Sequence, residues 1–522
     1  MKYPILSSSV ASREIVPGTP QEREFVSFLR ELFSGYADEV RVLETPADTW
    51  IEDECYIVLG DTTIECRSMP YTSTFEVEGR FVNARVVGSK IYPLELEGDS
   101  IAFIEFPEEP DLAKYIVLEL YERGAKAVVF YDRQYGSYRR IVITGTGFFS
   151  FTYGSPPPIP VVSILREDYE NMLKKGISRI NLYVRARTIH NVHGKTVIAT
   201  INGSSDKEIH ITAHHDHWFT GFTDDLVGVE TLYQILSRIA KKSNKYTIKV
   251  ISFTAEEIGA PYYASWYWAW GSRYYLNLLQ SRNELDEILA DINIDAVAKT
   301  PFKVYANPVL TKCIQLLSSK HPIEYSGYDH MDFDSFSYTL KGVPAVTLSN
   351  LEEIDSLIYH STLDNGRGFN YTVLDKVVDL VVDFVKCLEN HKPKYGDLIG
   401  YLKKTLGDNV PLETRILLSK IENLNKMFSE EDSIRLVTSL FTHAVYTPGL
   451  KYTYKSDILG EISFLLYILN NIDEYMGSRI RVVDFDRIVT EISLSNYNSS
   501  AVRNTIYYTI ASISNMLNNE IE

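Results

Sequence analysis

The sequence has little positive charge, no long apolar run and few cysteines. Its 522 residues include 52 lysines and arginines against 69 aspartates and glutamates, which gives a net charge of −17. This excess of negative charge argues against nucleic acid and anionic membranes as partners. No apolar stretch reaches the roughly 18 residues of a transmembrane helix, so we expect no membrane span. Internal repeats and low-complexity segments are also absent.

Four cysteines are too few for a disulfide framework in a chain of this length. Cys55 and Cys66 flank a predicted hairpin and are candidates for pairing, whereas Cys313 and Cys387 fall in helical patterns and are predicted core residues. The segment Met1–Ser7 has neither a long apolar core nor a clear cleavage site. We therefore expect a cytoplasmic protein.

The length predicts two or three domains. Residues 1–50 are interpreted as the N-terminal part of the main domain, with an amphipathic helix over Pro20–Ser34 and a strand at 39–44. Residues 51–190 are interpreted as an inserted α+β module. Its predicted helices are 112–124 and 166–175, and its clearest predicted strands are 127–131 and 160–164.

Strands and helices alternate over residues 191–395, which is typical of an α/β sheet covered by helices on both faces. The predicted strands are 197–201, 209–213, 248–254, 292–295 and 345–349, and helices are predicted near 225–240, 262–282, 307–319 and 370–390. Residues 396–522 show helical patterns only, at 411–428, 429–441, 457–470 and 499–518. The predicted fold class is therefore α/β, a mixed sheet with an α+β insert and an all-α C-terminal domain.

Five short segments carry side chains suited to a pair of metal ions. In order they supply His214 with Asp216, Asp224, Glu256 with Glu257, Asp295, and His360. Imidazole and carboxylate are the ligand types that suit zinc. A metal pair with a spare carboxylate beside it is typical of a hydrolase, because one glutamate can bind metal while its neighbour acts as general base.

Several of these side chains lie where predicted strands end. His214 and Asp216 follow one strand, the Glu256–Glu257 pair follows the next, and Asp295 closes its own. Functional residues of open α/β sheets collect at the carboxyl ends of strands. Agreement between separate strands is stronger support than any single motif, because most isolated acidic pairs are solvated surface groups.

Alternatives remain open for individual positions. His215 or His217 could be the ligand in place of His214. Asp224 and Asp225 both stand at the start of a predicted helix, where aspartate is favoured as an N-cap. Asp295 taken alone could be a cap or turn residue, and His360 taken alone is better explained as a surface histidine.

Together these residues resemble the co-catalytic dizinc exopeptidases of clan MH, and most closely the branch of glutamate carboxypeptidase and the transferrin receptor. The likeness is specific over roughly 195–365. That branch has His-x-Asp-x-Trp, then Gly-x-x-Asp and a glycine four residues later, which here are His214, Asp216, Trp218, Gly221, Asp224 and Gly228. The acidic pair before a glycine matches Glu256, Glu257 and Gly259.

The resemblance implies a role for each residue. One zinc would be held by His214 and Asp295 and the other by Glu257 and His360, with Asp224 bridging. Glu256 would be the general base for a hydroxide held between the metals, and Asp216 would orient His214. It also implies a protease-associated domain at 50–190 and a homodimer formed through the helices of 396–522.

Departures from the branch favour an aminopeptidase acting on peptides. Glutamate-specific members have arginines just after the stretch that matches 342–345, whereas this chain continues Val346-Thr347-Leu348. A carboxypeptidase of that type is the first alternative, and a non-catalytic, receptor-like binding protein is the second. A single-zinc acyltransferase of the glutaminyl-cyclase type is disfavoured by the large insert. The aromatic segment Tyr262–Tyr275 is either packing or the wall of an apolar subsite.

Overall fold

The computed structural model of the protein describes residues 2–445 apart from 89, 111, 146–154, 241, 265–266, 328, 330–331, 355–356, 407–418, 420 and 427–428. The strands are β1 (Glu39–Leu59), β2 (Thr62–Glu65), β3 (Arg67–Ser68), β4 (Phe75–Asn83), β5 (Arg85–Val87), β6 (Lys90–Tyr92), β7 (Ser100–Glu105), β8 (Ala127–Tyr131), β9 (Val161–Ile164), β10 (Arg179–Ile201), β11 (Ser205–His214), β12 (Tyr246–Phe253), β13 (Ile288–Ile294), β14 (Phe302–Ala306), β15 (Ile323–Gly327) and β16 (Ala345–Ser349). The helices are α1 (Pro20–Ser34), α2 (Leu112–Glu122), α3 (Arg166–Lys174), α4 (Val227–Ile239), α5 (Trp270–Ser281), α6 (Thr311–Ser318), α7 (Asp334–Leu340), α8 (Leu351–Ile354), α9 (Thr372–Asn390), α10 (Tyr395–Leu406) and α11 (Glu430–Val445).

The fold is the predicted α/β class, with one large mixed sheet flanked by helices. Most predicted elements lie within a few residues of their observed bounds, and α1 begins where Pro20 favours a first turn and Thr19 caps the helix. The helix predicted over 262–282 is only half correct. Residues 261–263 form a short 3₁₀ turn in which Tyr262 has a positive φ, and α5 begins at Trp270.

The central sheet has the order β15-β14-β16-β13-β11-β12-β10 in the region that carries the predicted ligands. Strand β11 is parallel to both β12 and β13, and β13 is parallel to β16. Strand β10 joins β12 in antiparallel orientation, and β14 does the same with β16. The carboxyl ends of β11, β12 and β13 therefore meet along one edge of the sheet.

The long strands β1 and β10 extend this sheet into the 51–190 region. They pair with each other from Glu39 opposite Thr200 to Val58 opposite Asn181. Within that region, β10 also pairs with β4 through Arg179–Val184. Strand β4 begins a second parallel set made of β4, β7, β8 and β9. The predicted boundaries at 50 and 190 lie inside β1 and β10, so the division into domains stays a prediction.

Alternating residues of the central strands pack against helices on opposite faces. In β12, Val250 belongs to the large core that includes α4 and α9, whereas the adjacent Ile251 packs with Tyr275 of α5 and Tyr338 of α7. This alternation follows from the two-residue period of a strand. Because both faces are covered, polar ligands can gather only at the strand ends.

Helices also make up the described residues after 395. Ser429 caps α11, since its Oγ accepts a hydrogen bond from Asp432 N at 3.1 Å. The helices predicted at 457–470 and 499–518 lie outside the described residues. Of the helix predicted at 411–428, residues 419 and 421–426 are described, and they are helical. No helix in the described ranges is long and apolar enough to cross a membrane.

The structure pairs all four cysteines. Cys55 and Cys66 form a disulfide across the β1–β2 hairpin, as their positions suggested. A second disulfide joins Cys313 of α6 to Cys387 of α9. These two residues are buried, as predicted, but their pairing was not anticipated.

Candidate metal centre

The predicted ligand segments come together at one edge of the sheet. His214 is the last residue of β11, the Glu256–Glu257 pair lies in the loop after β12, and Asp295 directly follows β13. Asp224 lies in the turn 222–226 that precedes α4, and His360 lies in the loop between α8 and α9. The segments that carry Asp224 and His360 thus reach the same edge of the sheet, where β11, β12 and β13 end.

Asp224 lies between the two histidines. Its Oδ1 is 3.2 Å from His214 Nε2, and its Oδ2 is 3.5 Å from His360 Nε2. Each histidine also has a second carboxylate nearby. Asp295 Oδ2 is 3.8 Å from His214 Nε2, and Glu257 Oε2 is 2.7 Å from His360 Nε2. One carboxylate shared by two histidine–carboxylate pairs is the arrangement expected of a two-metal site.

This donor set fits metal ions. All five side chains are buried, with between 1% and 5% of each residue exposed. Within the described part of the chain, Glu257 Oε1 and His360 Nδ1 have no hydrogen-bond partner, and the 2.7 Å contact between Glu257 Oε2 and His360 Nε2 is not aligned as a hydrogen bond. Donor atoms of His214, Asp224 and Glu257 all lie within 4.8 Å of one another. Buried carboxylates without partners are costly unless a cation neutralises them, so the cluster is suited to cations.

The crowded charges shift the pKa values of the histidines. Burial opposes the charged form, but Glu257 and Asp224 raise the pKa of His360 to about 9. Burial also opposes the charged form of His214, yet Glu256 and Asp224 raise its pKa well above the usual range. An imidazolium has no lone pair to offer a metal. Metal binding must therefore displace protons, and metal affinity should rise with pH.

Glu256 has the properties of a general base. It is buried, and its Oε1 makes no hydrogen bond to any described residue. Burial and the nearby Glu257 raise the pKa of its carboxyl well above the ordinary value. A neighbouring cation would favour the carboxylate form. The backbone is fixed, because the carbonyl of Glu256 accepts from Ala269 N at 3.0 Å.

Asp216 has a different role from the predicted one. His214 Nδ1 lies 2.9 Å from the backbone carbonyl of Asp216 and not from its carboxylate. The carboxylate instead accepts from the amides of Glu256 and Glu257, each at 3.0 Å. The physical reason is that the loop after β12 presents two adjacent N–H groups to a buried anion. Asp216 therefore positions the glutamate pair, and its backbone orients His214.

The alternative ligands His215 and His217 face other groups. His215 Nδ1 is 2.9 Å from Ser252 Oγ, and its Nε2 is 3.7 Å from Glu22 Oε1. The two ring nitrogens of His217 face the backbone carbonyls of His215 and Arg13. None of these contacts is with the other predicted ligands. The geometry therefore favours His214 as the metal ligand.

The Asp225 side chain binds the first turn of α4. Its Oδ1 accepts a hydrogen bond from Gly228 N at 3.1 Å. A Cβ at Gly228 would lie 2.2 Å from Asp225 Oδ2, and a Cβ at Gly221, whose φ is +52°, would lie 2.3 Å from His217 Cβ. The peptide bond between Asp224 and Asp225 is cis. The two glycines of the sequence motif are therefore explained by close packing around the turn that carries Asp224.

Sequence reasoning missed Asp364. This buried carboxylate accepts from Thr223 N at 2.9 Å, from Thr223 Oγ1 at 2.7 Å and from Asp224 N at 3.2 Å. Burial raises its pKa to about 6. It thereby fixes the turn that carries Asp224. Its position four residues after His360 was the only available signal, and that signal is weak.

The aromatic segment is mainly packing. Tyr267 and Trp268 are buried, and Trp270 Nε1 donates to the carbonyl of Pro46 at 2.7 Å. Trp266 lies outside the described residues. These contacts brace the loop that carries Glu256.

Comparison with known proteins agrees with this geometry. Residues 196–385 match the profile of Peptidase family M28. A curated relative, an inactive zinc metalloprotease of Schizosaccharomyces pombe (strain 972 / ATCC 24843), is 25% identical over 294 residues, which cover 49% of this chain and 36% of the relative. The matched part therefore spans about a third of that relative's length.

Solved structures share the fold at low identity. The Peptidase M28 precursor from Shewanella amazonensis SB2B has a TM-score of 0.59 at 17% identity, covering 74% of this chain and 92% of that chain. The zinc aminopeptidase BSAP from Bacillus subtilis has a TM-score of 0.56 at 18% identity, with coverages of 75% and 94%. The aminopeptidase from Aneurinibacillus sp. strain AM-1 has a TM-score of 0.50 at 20% identity, with coverages of 75% and 93%. Residues 196–385 thus resemble Peptidase family M28, and the chain shares the fold of these zinc aminopeptidases.

Proposed function

We propose that this chain is a zinc-dependent aminopeptidase that uses two zinc ions and Glu256 as general base. The observation that carries the proposal is the position of Asp224, whose two oxygens face two histidines that each have a further carboxylate. The family match and the names of the structural neighbours support zinc as the metal.

Each of these residues has its own role in the proposed hydrolysis. One zinc would be held by His214 and Asp295, and the other by Glu257 and His360, with Asp224 shared. Zinc ions in such a pair supply a nucleophilic water at neutral pH and polarise the scissile carbonyl. Glu256 accepts the proton of the attacking water at its carboxylate and delivers it to the leaving amine.

An N-terminal residue is the preferred target. The positions at which glutamate-specific relatives have arginines fall in β16, whose residues Ala345–Ser349 are all buried. No basic side chain is available there to bind an acidic C-terminal residue. This supports an aminopeptidase over a carboxypeptidase of the glutamate type.

A non-catalytic binding protein is the second candidate, and the name of the Schizosaccharomyces pombe relative favours it. The complete ligand set argues against a non-catalytic protein, because loss of activity in such proteins would follow from loss of ligands. Hydrolysis by the metal-loaded protein separates the two.

Several wider expectations belong to the same proposal. Residues 51–190 act as a protease-associated domain, and the helices after 396 form a homodimer. The chain works on peptides, and neither nucleic acid nor a membrane is a partner. Location in the cytoplasm stays a prediction, and two disulfides are unusual there.

The test is Glu256→Gln in zinc-loaded protein. The variant should bind zinc as the wild type does and lose about 10²- to 10⁴-fold in kcat, because only proton transfer is removed. Glu324→Gln, which alters an exposed ion pair with Lys303, is the matched control and should keep full activity. Undiminished hydrolysis by Glu256→Gln would refute the assigned base.

A further inference from the structure

The backbone around His360 is held by the 51–190 region. His360 has a φ of +52°, a left-handed conformation that non-glycine residues rarely adopt. Arg140 N donates to the carbonyl of His360 at 2.9 Å. Arg139 donates from Nη1 to the carbonyl of Tyr359 at 2.6 Å and from Nη2 to that of Leu357 at 3.2 Å. One short segment thus binds the carbonyls on and just before a predicted metal ligand.

The contact continues on the other side of His360. Thr362 N donates to the carbonyl of Tyr138 at 3.0 Å, and Tyr138 N donates to Thr362 Oγ1 at 3.1 Å. Arg139 also forms an isolated antiparallel bridge with Ser361. Residues 138–140 and 359–362 therefore lie side by side like two short strands, and we name residues 138–140 the clamp.

Other residues of the 51–190 region hold Arg139 in place. Its side chain is buried, and its Nε donates to Asp132 Oδ2 at 2.8 Å. The guanidinium lies 5.2 Å from the centre of the Phe106 ring, and the backbone N donates to Ser163 Oγ at 3.1 Å. A guanidinium held in this way presents its remaining donors in one geometry, which a flexible lysine cannot do.

Arg140 connects the clamp to the His214 side of the centre. It pairs with Glu14 and, at 2.8 Å, with Glu52 of β1. Its guanidinium lies 5.1 Å from the centre of the Trp50 ring and 5.0 Å from the centre of the Phe219 ring. Phe219 belongs to the loop that follows His214, so both ligand-bearing loops contact the same pair of arginines.

We propose that Arg139 is a positioning residue of the metal centre, which holds His360 in its ligand geometry from outside the family-matched region. The role rests on the proposed two-zinc function. It deepens that function, because it makes the affinity for the zinc at His360 and Glu257 depend on the inserted region. Partners that orient a ligand without touching the metal are worth about 10- to 100-fold in affinity.

The test compares zinc affinities of purified full-length variants by competition with a chromophoric chelator. Arg139→Lys keeps the charge beside Asp132 but loses the two-pronged contact with Tyr359 and Leu357. Thr362→Val removes the acceptor for Tyr138 N without disturbing that ion pair. Arg133→Gln is the control, because Arg133 is exposed in the same region and pairs with Glu108.

Arg139→Lys should weaken one of two zinc sites by about 10- to 100-fold and leave the other unchanged. Thr362→Val should weaken the same site by less. The metal-free variants should stay folded, with the far-UV circular dichroism spectrum of the wild type, a result that a general folding defect would not give.

Wild-type affinity at both sites in Arg139→Lys and Thr362→Val would overturn the positioning role while leaving the proposed function intact. Equal weakening of both sites would overturn it too, since the Arg139 side chain donates to the His360 loop, whereas Arg140, which contacts Phe219 after His214, is unchanged in Arg139→Lys. A wild-type protein that binds no zinc would instead overturn the proposed function, and the positioning role with it.

Discussion

Replacement of the two adjacent aspartates should have unequal effects. Asp224→Asn leaves one oxygen and one amide nitrogen where two oxygens face His214 and His360 at 3.2 and 3.5 Å. The amide nitrogen cannot ligate zinc, so the shared ligand is lost. Partners one step removed from a metal already contribute about 10- to 100-fold in affinity, and a shared ligand should exceed that. We expect at least a ~100-fold loss for one zinc, or about 2.7 kcal/mol.

Asp225→Asn should have little effect on stability or on zinc affinity. The only hydrogen bond of the Asp225 side chain among the described residues comes from Gly228 N, and an asparagine carbonyl oxygen accepts it equally well. One retained neutral hydrogen bond limits the loss to about 1 kcal/mol of stability. Zinc affinity should stay within a few-fold of wild type.

The assay is zinc titration by calorimetry together with kcat/KM on an amino-acid amide. Asp224→Asn should bind fewer than two zinc ions at micromolar free metal and lose most activity, and Asp225→Asn should retain both. Equal losses in the two variants would show that the bridging ligand has been assigned to the wrong aspartate.

Two further substitutions test buried carboxylates. Burial raises the pKa of Glu230 from 4.5 to about 7, so the folded state binds the extra proton and stability falls as pH rises between these values. Glu230→Gln should flatten urea-denaturation stability over pH 5–8, removing a change of up to about 3 kcal/mol. An unchanged pH slope would contradict this. Asp364→Asn places an amide against the donors of Thr223 and should lower the free energy of unfolding by about 1–3 kcal/mol. Wild-type stability at pH 7.5 would show that these bonds matter little.

The candidate site was largely predictable because its chemistry follows sheet topology. His214, Glu257 and Asp295 come from successive parallel strands, whose carboxyl ends must lie together. The motif spacing selected Asp224 over Asp225, and the structure gives a reason in the contact between Asp225 and Gly228. These are local or periodic signals that a single sequence carries.

Contacts between distant segments were not predictable. The contacts of Asp364 with Thr223 and of Arg139 with Tyr359 join side chains to residues far away in the chain. Such bonds leave no periodic pattern, because each depends on two loops meeting after the sheet has formed. The predicted contact of the Asp216 carboxylate with His214 failed for a related reason, since backbone amides from another strand's loop competed for that carboxylate.

Sequence patterns also did not predict the length of β1 and β10 or the second disulfide. Strands β1 and β10 continue through the boundaries predicted at 50 and 190. Register shifts between Ala47 and Thr49 and between Glu52 and Glu54 break the two-residue alternation by which a strand is recognised in a sequence. Cys313 and Cys387 lie on two helices whose packing brings them together. Helical periodicity places each cysteine in the core but does not identify its partner.

The most direct test of the central claim is the zinc content per chain after loosely bound ions are removed, measured together with hydrolysis of an amino-acid amide panel. The account predicts two zinc ions and hydrolysis of N-terminal residues that a chelator abolishes and zinc restores. Two zinc ions without amide hydrolysis would point to C-terminal or blocked substrates. A chain that binds no zinc and hydrolyses none of the amides would contradict the account.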